Sequence, residues 1–274
     1  MTRATLHLRG RRAVLLGVVA ALLTAACSAH GSADVTPTQT PVPGGSGPVA
    51  SWELTGGYSA AGVLTLRPRR LVVYPNGEAV ADAAYRTDLA AADVAELVGA
   101  LADDLSAPVT DRRTGLPSVL DAPTTVLTVR STTGSYTART EGLDELREER
   151  GYPDQLYDAR DRLSALHKRI VAAGQPYTAE RVRVVAEPVG SAPPGDDGSA
   201  LPSADAARPW PAALPVPDRQ GTDTARIADL DGDRARDAVR LLERDLDLNG
   251  AWRTYRTGDG TLLRASWRYL LRDE

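Results

Sequence analysis

The stretch Arg9–Cys27, RGRRAVLLGVVAALLTAAC, limits what this chain can be more than any other. It opens on Arg9, Arg11 and Arg12, runs uncharged and apolar from Ala13, and ends on small residues before Cys27, the one cysteine present. A basic start, an apolar middle and a small-residue exit are the three parts of a secretory signal. The run Ala13–Ala26 has 14 residues, and at about 1.5 Å per helical residue it falls short of a bilayer core of roughly 30 Å. It therefore reads as an export signal, and the folded region is expected downstream of it.

The segment Leu23-Thr24-Ala25-Ala26-Cys27 resembles the lipobox of bacterial lipoproteins, with Thr24 where that family more often has leucine and Leu23 one residue earlier. The resemblance implies a signal peptide over 1–26, a diacylglyceryl (palmitate-type) group on the Cys27 sulfur, and cleavage just before it. The product would be lipid-anchored on the extracytoplasmic face of the cell membrane. Arg11-Arg12-Ala13-Val14-Leu15 also resembles a twin-arginine export signal, without the preceding Ser/Thr or the Phe of that motif, so the general secretory route stays open. Residues 27–50 continue as a Ser/Thr/Pro/Gly-rich stretch without apolar periodicity, the composition of a disordered, flexible tether. Its root-mean-square reach is on the order of 25 Å.

Composition then narrows the chemistry. Residues 1–26 carry four arginines and no acid, so beyond them 28 bases face 36 acids, a formal net charge of −8. Nucleic acid, whose phosphates require a basic footprint, is a poor partner for such a chain. With Cys27 acylated no thiol or intramolecular disulfide remains, and His167 is the one histidine beyond the tether, since His7 lies in the signal and His30 in the tether. A Cys/His zinc site cannot be assembled from that inventory, and any Ser-His-Asp triad must use His167. Carboxylate-only hydrolysis keeps its residues. No glycine-rich phosphate loop, Walker motif or H-E-x-x-H is present, so no cofactor is expected.

Patterning predicts an α+β fold: a mostly antiparallel sheet with two main helices, followed by a small C-terminal α+β module. In the first domain, residues 51–187, strands are expected at Trp52–Thr55, Val63–Leu66, Leu71–Tyr74 and, after the Pro75-Asn76-Gly77 turn, Glu78–Ala81. Val94, Leu97, Val98, Leu101 and Leu105 form an apolar stripe that predicts a helix over 89–105, with Thr87 or Asp88 available as cap. Thr124–Arg130 and Ser135–Thr140 read as a hairpin, residues 153–173 as a second helix ending at Gly174, and Arg181–Glu187 as the strand that closes the domain. A linker over 188–206 separates it from a module over 207–274, with a strand at 225–230, a helix at 233–246 and a hairpin turning at Gly258-Asp259-Gly260. About 68 residues is small for independent stability, so packing on the first domain is expected.

Two regions carry a family resemblance. Residues 51–105 resemble the N-terminal half of small α+β domains of uncharacterised actinobacterial lipoproteins and, more distantly, emfourin-type domains that inhibit thermolysin-like metalloproteases. The ending Trp267-Arg268-Tyr269-Leu270-Leu271-Arg272-Asp273-Glu274 resembles the R-P-L-L-P-D-E terminus of the same lipoproteins. The residue inventory points to a non-enzymatic module that binds an extracytoplasmic protein or the envelope, and the emfourin resemblance alone implies the alternative, a protease inhibitor; no position here matches an inhibitory residue.

Four groups of residues are chemical candidates. Asp229, Asp231, Asp233 and Asp237 around Gly232 have the alternation that wraps Ca²⁺ in oxygen, although glycine and Arg240 occupy the wrong positions for an EF-hand. The same residues serve a strand-to-helix turn with Gly232 at the bend and Asp233 as cap. His167, between Leu163 and Ile170, reads as a packing histidine. Arg67, Arg69 and Arg70 suit anionic lipid headgroups or a solvated turn, and Glu141, Asp144, Glu145, Glu148 and Glu149 an acid/base pair or a solvated charged face.

Overall fold

The strand that opens the folded region is also the one on which its first sheet is built. In the computed structural model, which describes residues 45–106, 112–189, 206–221 and 224–274, β1 (Ala50–Gly56) pairs along its whole length with β5 (Pro123–Arg130) and at its start with β2 (Leu71–Val73). Its alternation places Ala50 and Trp52 in the core. Successive hairpins then add β3 (Glu78–Ala81) and β4 (Tyr85–Asp88) beyond β2, and β6 (Ser135–Glu141) beyond β5. The two-residue β7 (Gln175–Pro176) completes an antiparallel seven-stranded sheet, in the order β6-β5-β1-β2-β3-β4-β7.

Two long helices cover one face of this sheet. In α2 (Ala91–Leu105), Val94, Val98, Leu101 and Leu105 are buried; in α3 (Asp154–Ala173), Leu156, Leu163, Leu166 and Ile170 are. All eight belong to one core with Leu71, Val73, Ala79, Leu127 and Val129 of the sheet. Neither Thr87 nor Asp88 caps α2: both lie in β4, where Asp88 pairs with Glu78, and the cap position falls to Ala90 without a side-chain hydrogen bond.

The second sheet departs from expectation. Its order is β10-β11-β8-β13-β12-β9, with β8 spanning Arg181–Pro188, β9 Arg208–Pro209, β10 Arg219–Gln220, β11 Arg226–Asp231, β12 Arg253–Arg256 and β13 Leu262–Tyr269. All neighbours are antiparallel except β12 and β9. β8, read as the closing strand of the first domain, instead lies between β11 and β13. Without it the strands from 207–274 would fall into two pieces that do not touch through the ladder. The other borrowed element is α1 (Ala61–Leu66), read from sequence as a strand over Val63–Leu66. It is a short helix whose Val63 and Leu66 pack with Val185, Ala225, Ile227 and Trp252 on one face of this sheet. The four-residue apolar run cannot itself distinguish strand from helix; that sheet face decides it.

The opposite face carries α4 (Gly232–Leu241), with Ala235 and Ala238 packed against Val182, Val184, Leu230 and Trp267. The helix stops before residue 246. Asp245 holds the following loop instead: one carboxylate oxygen accepts from Gly250 N at 2.9 Å and Trp252 Nε1 at 2.7 Å, and its own N–H donates to Ser266 Oγ at 2.8 Å. Gly232, at φ +53°, makes the expected bend, but the cap residue is Asp231, without a side-chain cap bond, and Asp233 lies in the first turn. Most of the expected linker, residues 190–205, and Cys27 lie outside the described residues.

Candidate functional site

Where the two sheets meet, the turn from β3 to β4 runs through two non-glycine residues in the left-handed region, Asp82 at φ +51° and Ala83 at φ +48°. That conformation costs about 1–2 kcal/mol per residue for L-amino acids, so the surroundings must hold it. Ala84 N closes the turn on Ala81 O at 2.9 Å, and Asp82 N donates to Arg70 O at 3.0 Å. Asp82 Oδ2 lies 2.6 Å from His167 Nε2, and Oδ1 lies 3.0 Å from Arg70 Nη1. A carboxylate only accepts, so Nε2 carries the hydrogen in this contact. From the loop after α4, Arg244 Nη2 donates to the Ala83 carbonyl at 2.7 Å.

Helical spacing makes His167 available there. On α3, Arg160, Leu163 and His167 recur along one face. His167 meets Trp52 edge to face with ring centres 5.6 Å apart, and the guanidinium carbons of Arg160 and Arg70 stand 5.1 and 5.7 Å from the Trp52 ring centre. Arg160 in turn pairs with Asp144 at 2.7 Å. Trp52 Nε1, Arg70 Nε and Arg160 Nε are buried without a hydrogen-bond partner, and Asp82 Oδ1, also buried, has only its ion pair with Arg70. Buried polar atoms are normally satisfied, so three nitrogens without partners, on Trp52 and on the two arginines beside its ring, mark this corner as unusual.

Arg70 also faces outward. It lines a cleft of about 280 Å³ together with Leu54, Gly56, Gly57, Tyr58, Arg67, Asp121, Pro123, Asp247 and Leu248. Gly56 and Gly57, at φ +65° and +82°, turn the chain at the end of β1, and a Cβ on Gly57 would press on Pro123. Arg67 Nη1 donates to Gly56 O at 2.8 Å, and no carboxylate pairs with Arg67 among the described residues. Burial, and then the neighbouring Arg70 charge, lower the pKa of Arg67. At the rim, Tyr58 is 84% exposed and its N–H bonds to Asp121 O at 3.0 Å.

The other candidates are drawn apart. Asp229 is gripped by Arg183 Nε at 2.7 Å and Arg219 Nη2 at 2.7 Å; burial raises its pKa, but these arginines outweigh that and hold it below the usual carboxylate range. Asp233 pairs with Arg236, and Asp237 with Arg240 at 2.6 Å. The structure therefore does not gather Asp229, Asp231, Asp233 and Asp237 into a calcium site: arginines a turn or a strand away claim three of them. No group of three or more His, Cys, Asp or Glu among the described residues is arranged to hold a metal ion. Arg69 is committed to Asp273 at 2.6 Å, so the three arginines of 67–70 do not form one headgroup patch. In residues 141–150, Glu141, Glu145, Glu148 and Glu149 are exposed, as a solvated charged face would have them, while Leu143 and Leu146 anchor the segment in the core and Asp144 pairs with Arg160. No helix among the described residues is long and apolar enough to cross a membrane.

The Asp82–Ala83 turn lacked any sequence signal, having neither Asn-Gly nor Gly at its centre. His167 was visible on its stripe, but its partner lies 85 residues away in sequence. Compared with known proteins, the chain matches no family model, no curated sequence and no solved structure.

Proposed function

We propose that this protein is a lipid-anchored, extracytoplasmic, non-enzymatic binding module that presents the cleft between its two sheets to a ligand. The observation that carries the anchor is Cys27, the chain's one cysteine, placed directly after an apolar run with arginines before it. The cleft supports the binding half: it combines two guanidiniums, apolar walls and an exposed aromatic rim. The one described histidine is engaged with the Asp82 turn, which favours a holding role for it over proton transfer to a substrate.

Expression of the full chain in a bacterium with radiolabelled palmitate tests the anchor. Label on the wild type, its loss in Cys27→Ala, and release of that variant from the membrane fraction are expected. An unlabelled wild type, or processing unchanged by globomycin, overturns the anchor.

A further inference from the structure

Arg67 and Arg70 follow the C-terminus of α1, and Pro68 between them restricts the connection to β2. Their positions are fixed separately. Arg67 is held by the Gly56 carbonyl, and Arg70 by Asp82, which His167 steadies from behind. Two guanidiniums thus line one partly buried cleft. Arg67 has a neutral carbonyl as its partner; Arg70 is paired with Asp82 through Nη1 and keeps a buried Nε without a partner. Like charges held together away from bulk water repel, and an anion placed between them relieves that repulsion.

The remaining walls limit which anion fits. Asp121 and Asp247 also line the cleft and balance its two guanidiniums, and Asp82 already pairs with Arg70, so a multiply charged anion is opposed. Leu54, Pro123 and Leu248 supply apolar surface, and the Tyr58 ring stands free at the rim. A small ligand with one oxyanion and an apolar body matches this division, as in other pockets where few polar groups orient a mainly apolar ligand.

We propose that the cleft is an oxyanion subsite: Arg67 and Arg70 together hold the carboxylate or phosphate group of a small amphipathic monoanion or zwitterion, whose apolar part lies against Leu54, Leu248 and Tyr58. This deepens the binding-module reading and rests on its second half, not on the acylation of Cys27. Guanidinium forks match both carboxylate and phosphate oxygens, so the chemistry shared by the two is what the site selects. Asp82 and His167 are positioning residues here, acting through Arg70.

The test titrates the full chain in detergent with acetate, benzoate and inorganic phosphate at pH 6, each against sodium chloride of matched ionic strength. Thermal midpoint and Trp emission are followed, the latter because Arg70 lies against Trp52. Saturable binding of benzoate, tighter than acetate, is expected; phosphate binding as tight as benzoate assigns the site to phosphate esters, and weaker phosphate binding to carboxylates. Arg67→Gln should weaken the bound anion about tenfold, the scale of one charge-assisted contact. Tyr58→Ala, at a side chain 84% exposed, keeps the fold, lowers benzoate affinity and leaves acetate unchanged. Midpoint shifts no larger than those in chloride overturn the subsite, as does benzoate affinity equal to wild type in both variants. Loss of palmitate label with benzoate binding intact sinks the anchor alone, so the two failures are separable.

Discussion

The two sheets are built by different rules. Strands β1 to β6 are joined largely by neighbouring hairpins, and the helices over them lie in the same span of chain. The second sheet takes its central strand β8 from 181–188, its covering helix α1 from 61–66 and its remaining strands from residues beyond 207. Local pairing suffices for the first; the second exists only once distant segments have met. Both kinds of construction contribute to the junction. Glu187, buried in β8, accepts from Gly62 N of α1 at 2.9 Å and pairs with Arg264 of β13. A Cβ on Gly62 would sit 2.6 Å from the Trp252 ring, so helix and sheet approach as closely as glycine permits.

This contrast breaks first under core truncation. Leu163→Ala removes a fully buried side chain from the helix over the first sheet, and Leu66→Ala one from the borrowed helix over the second. Each should cost about 2–5 kcal/mol. Because α1 and β8 tie the sheets together, both variants should lower one shared thermal transition. Two separated transitions in calorimetry, only one of which moves in each variant, would mean that the sheets unfold independently.

The chain's end is the next strongest point. Arg268 is buried, and both of its terminal nitrogens reach Glu274 at 2.7 Å, while Leu271 N donates to the same carboxylate at 2.9 Å. Asp273 accepts from Arg69 at 2.6 Å and Tyr74 Oη at 2.8 Å, and Arg272 pairs with Glu78. Arg272 and Asp273 thus fasten the end of the second sheet to the first, while Glu274 holds that end on Arg268. Glu274→Ala leaves Arg268 buried and unpaired, with an expected loss of about 3 kcal/mol by denaturant unfolding. Burial pushes the Glu274 carboxyl up, but Arg268 outweighs it and holds the pKa below the usual range. The stability from this contact is therefore complete above the ordinary carboxylate pKa and is lost as pH falls through the lower, folded value. In Glu274→Ala that part of the acid dependence should vanish.

Alkaline pH probes the same junction from its phenols. Tyr177 donates to Leu270 O at 3.0 Å, and burial followed by the Glu78 charge pushes its pKa up to about 12. Tyr74 is raised as well, by burial and then by its bond to Asp273. An unfolded tyrosine ionises near 10. Stability should hold below about pH 10 and fall as pH rises toward about 12, with phenolate absorbance and loss of structure changing together. Tyr177→Phe should weaken that coupling.

The smallest effect is expected at the strained turn. Ala83→Gly relieves about 1 kcal/mol or more of left-handed strain. It also removes a fully buried methyl worth about 0.8 kcal/mol and gives the unfolded chain more freedom. These nearly cancel, so the midpoint should move little. A loss of several kcal/mol would mean that the methyl, packed beside Tyr177 and Leu271, matters more than the backbone conformation.

Much of this was legible in advance where the signal is local. The stripes of α2 and α3 declare themselves because a helix repeats its buried face every three to four residues. The hairpin of β5 and β6 follows from two β-rich runs around Thr132-Thr133-Gly134. Asp229–Asp237 misled because alternating carboxylates around glycine look alike whether oxygen meets a cation or an arginine; Arg183, which takes Asp229, is in another strand. The site was less legible still. Arg67, Arg70 and His167 each stood out, but nothing in their spacing joins α3, the β3–β4 turn and the end of β1.

By itself the sequence determined the α+β character, the paired helices and the hairpins, because periodicity and turn chemistry act over a few residues. Tertiary structure alone decided that Val63–Leu66 is a helix, that β8 lies at the centre of the second sheet, and that Asp82 receives His167. Those outcomes depend on which buried surface or charge a segment meets from far along the chain, and short-range patterning carries no record of that meeting.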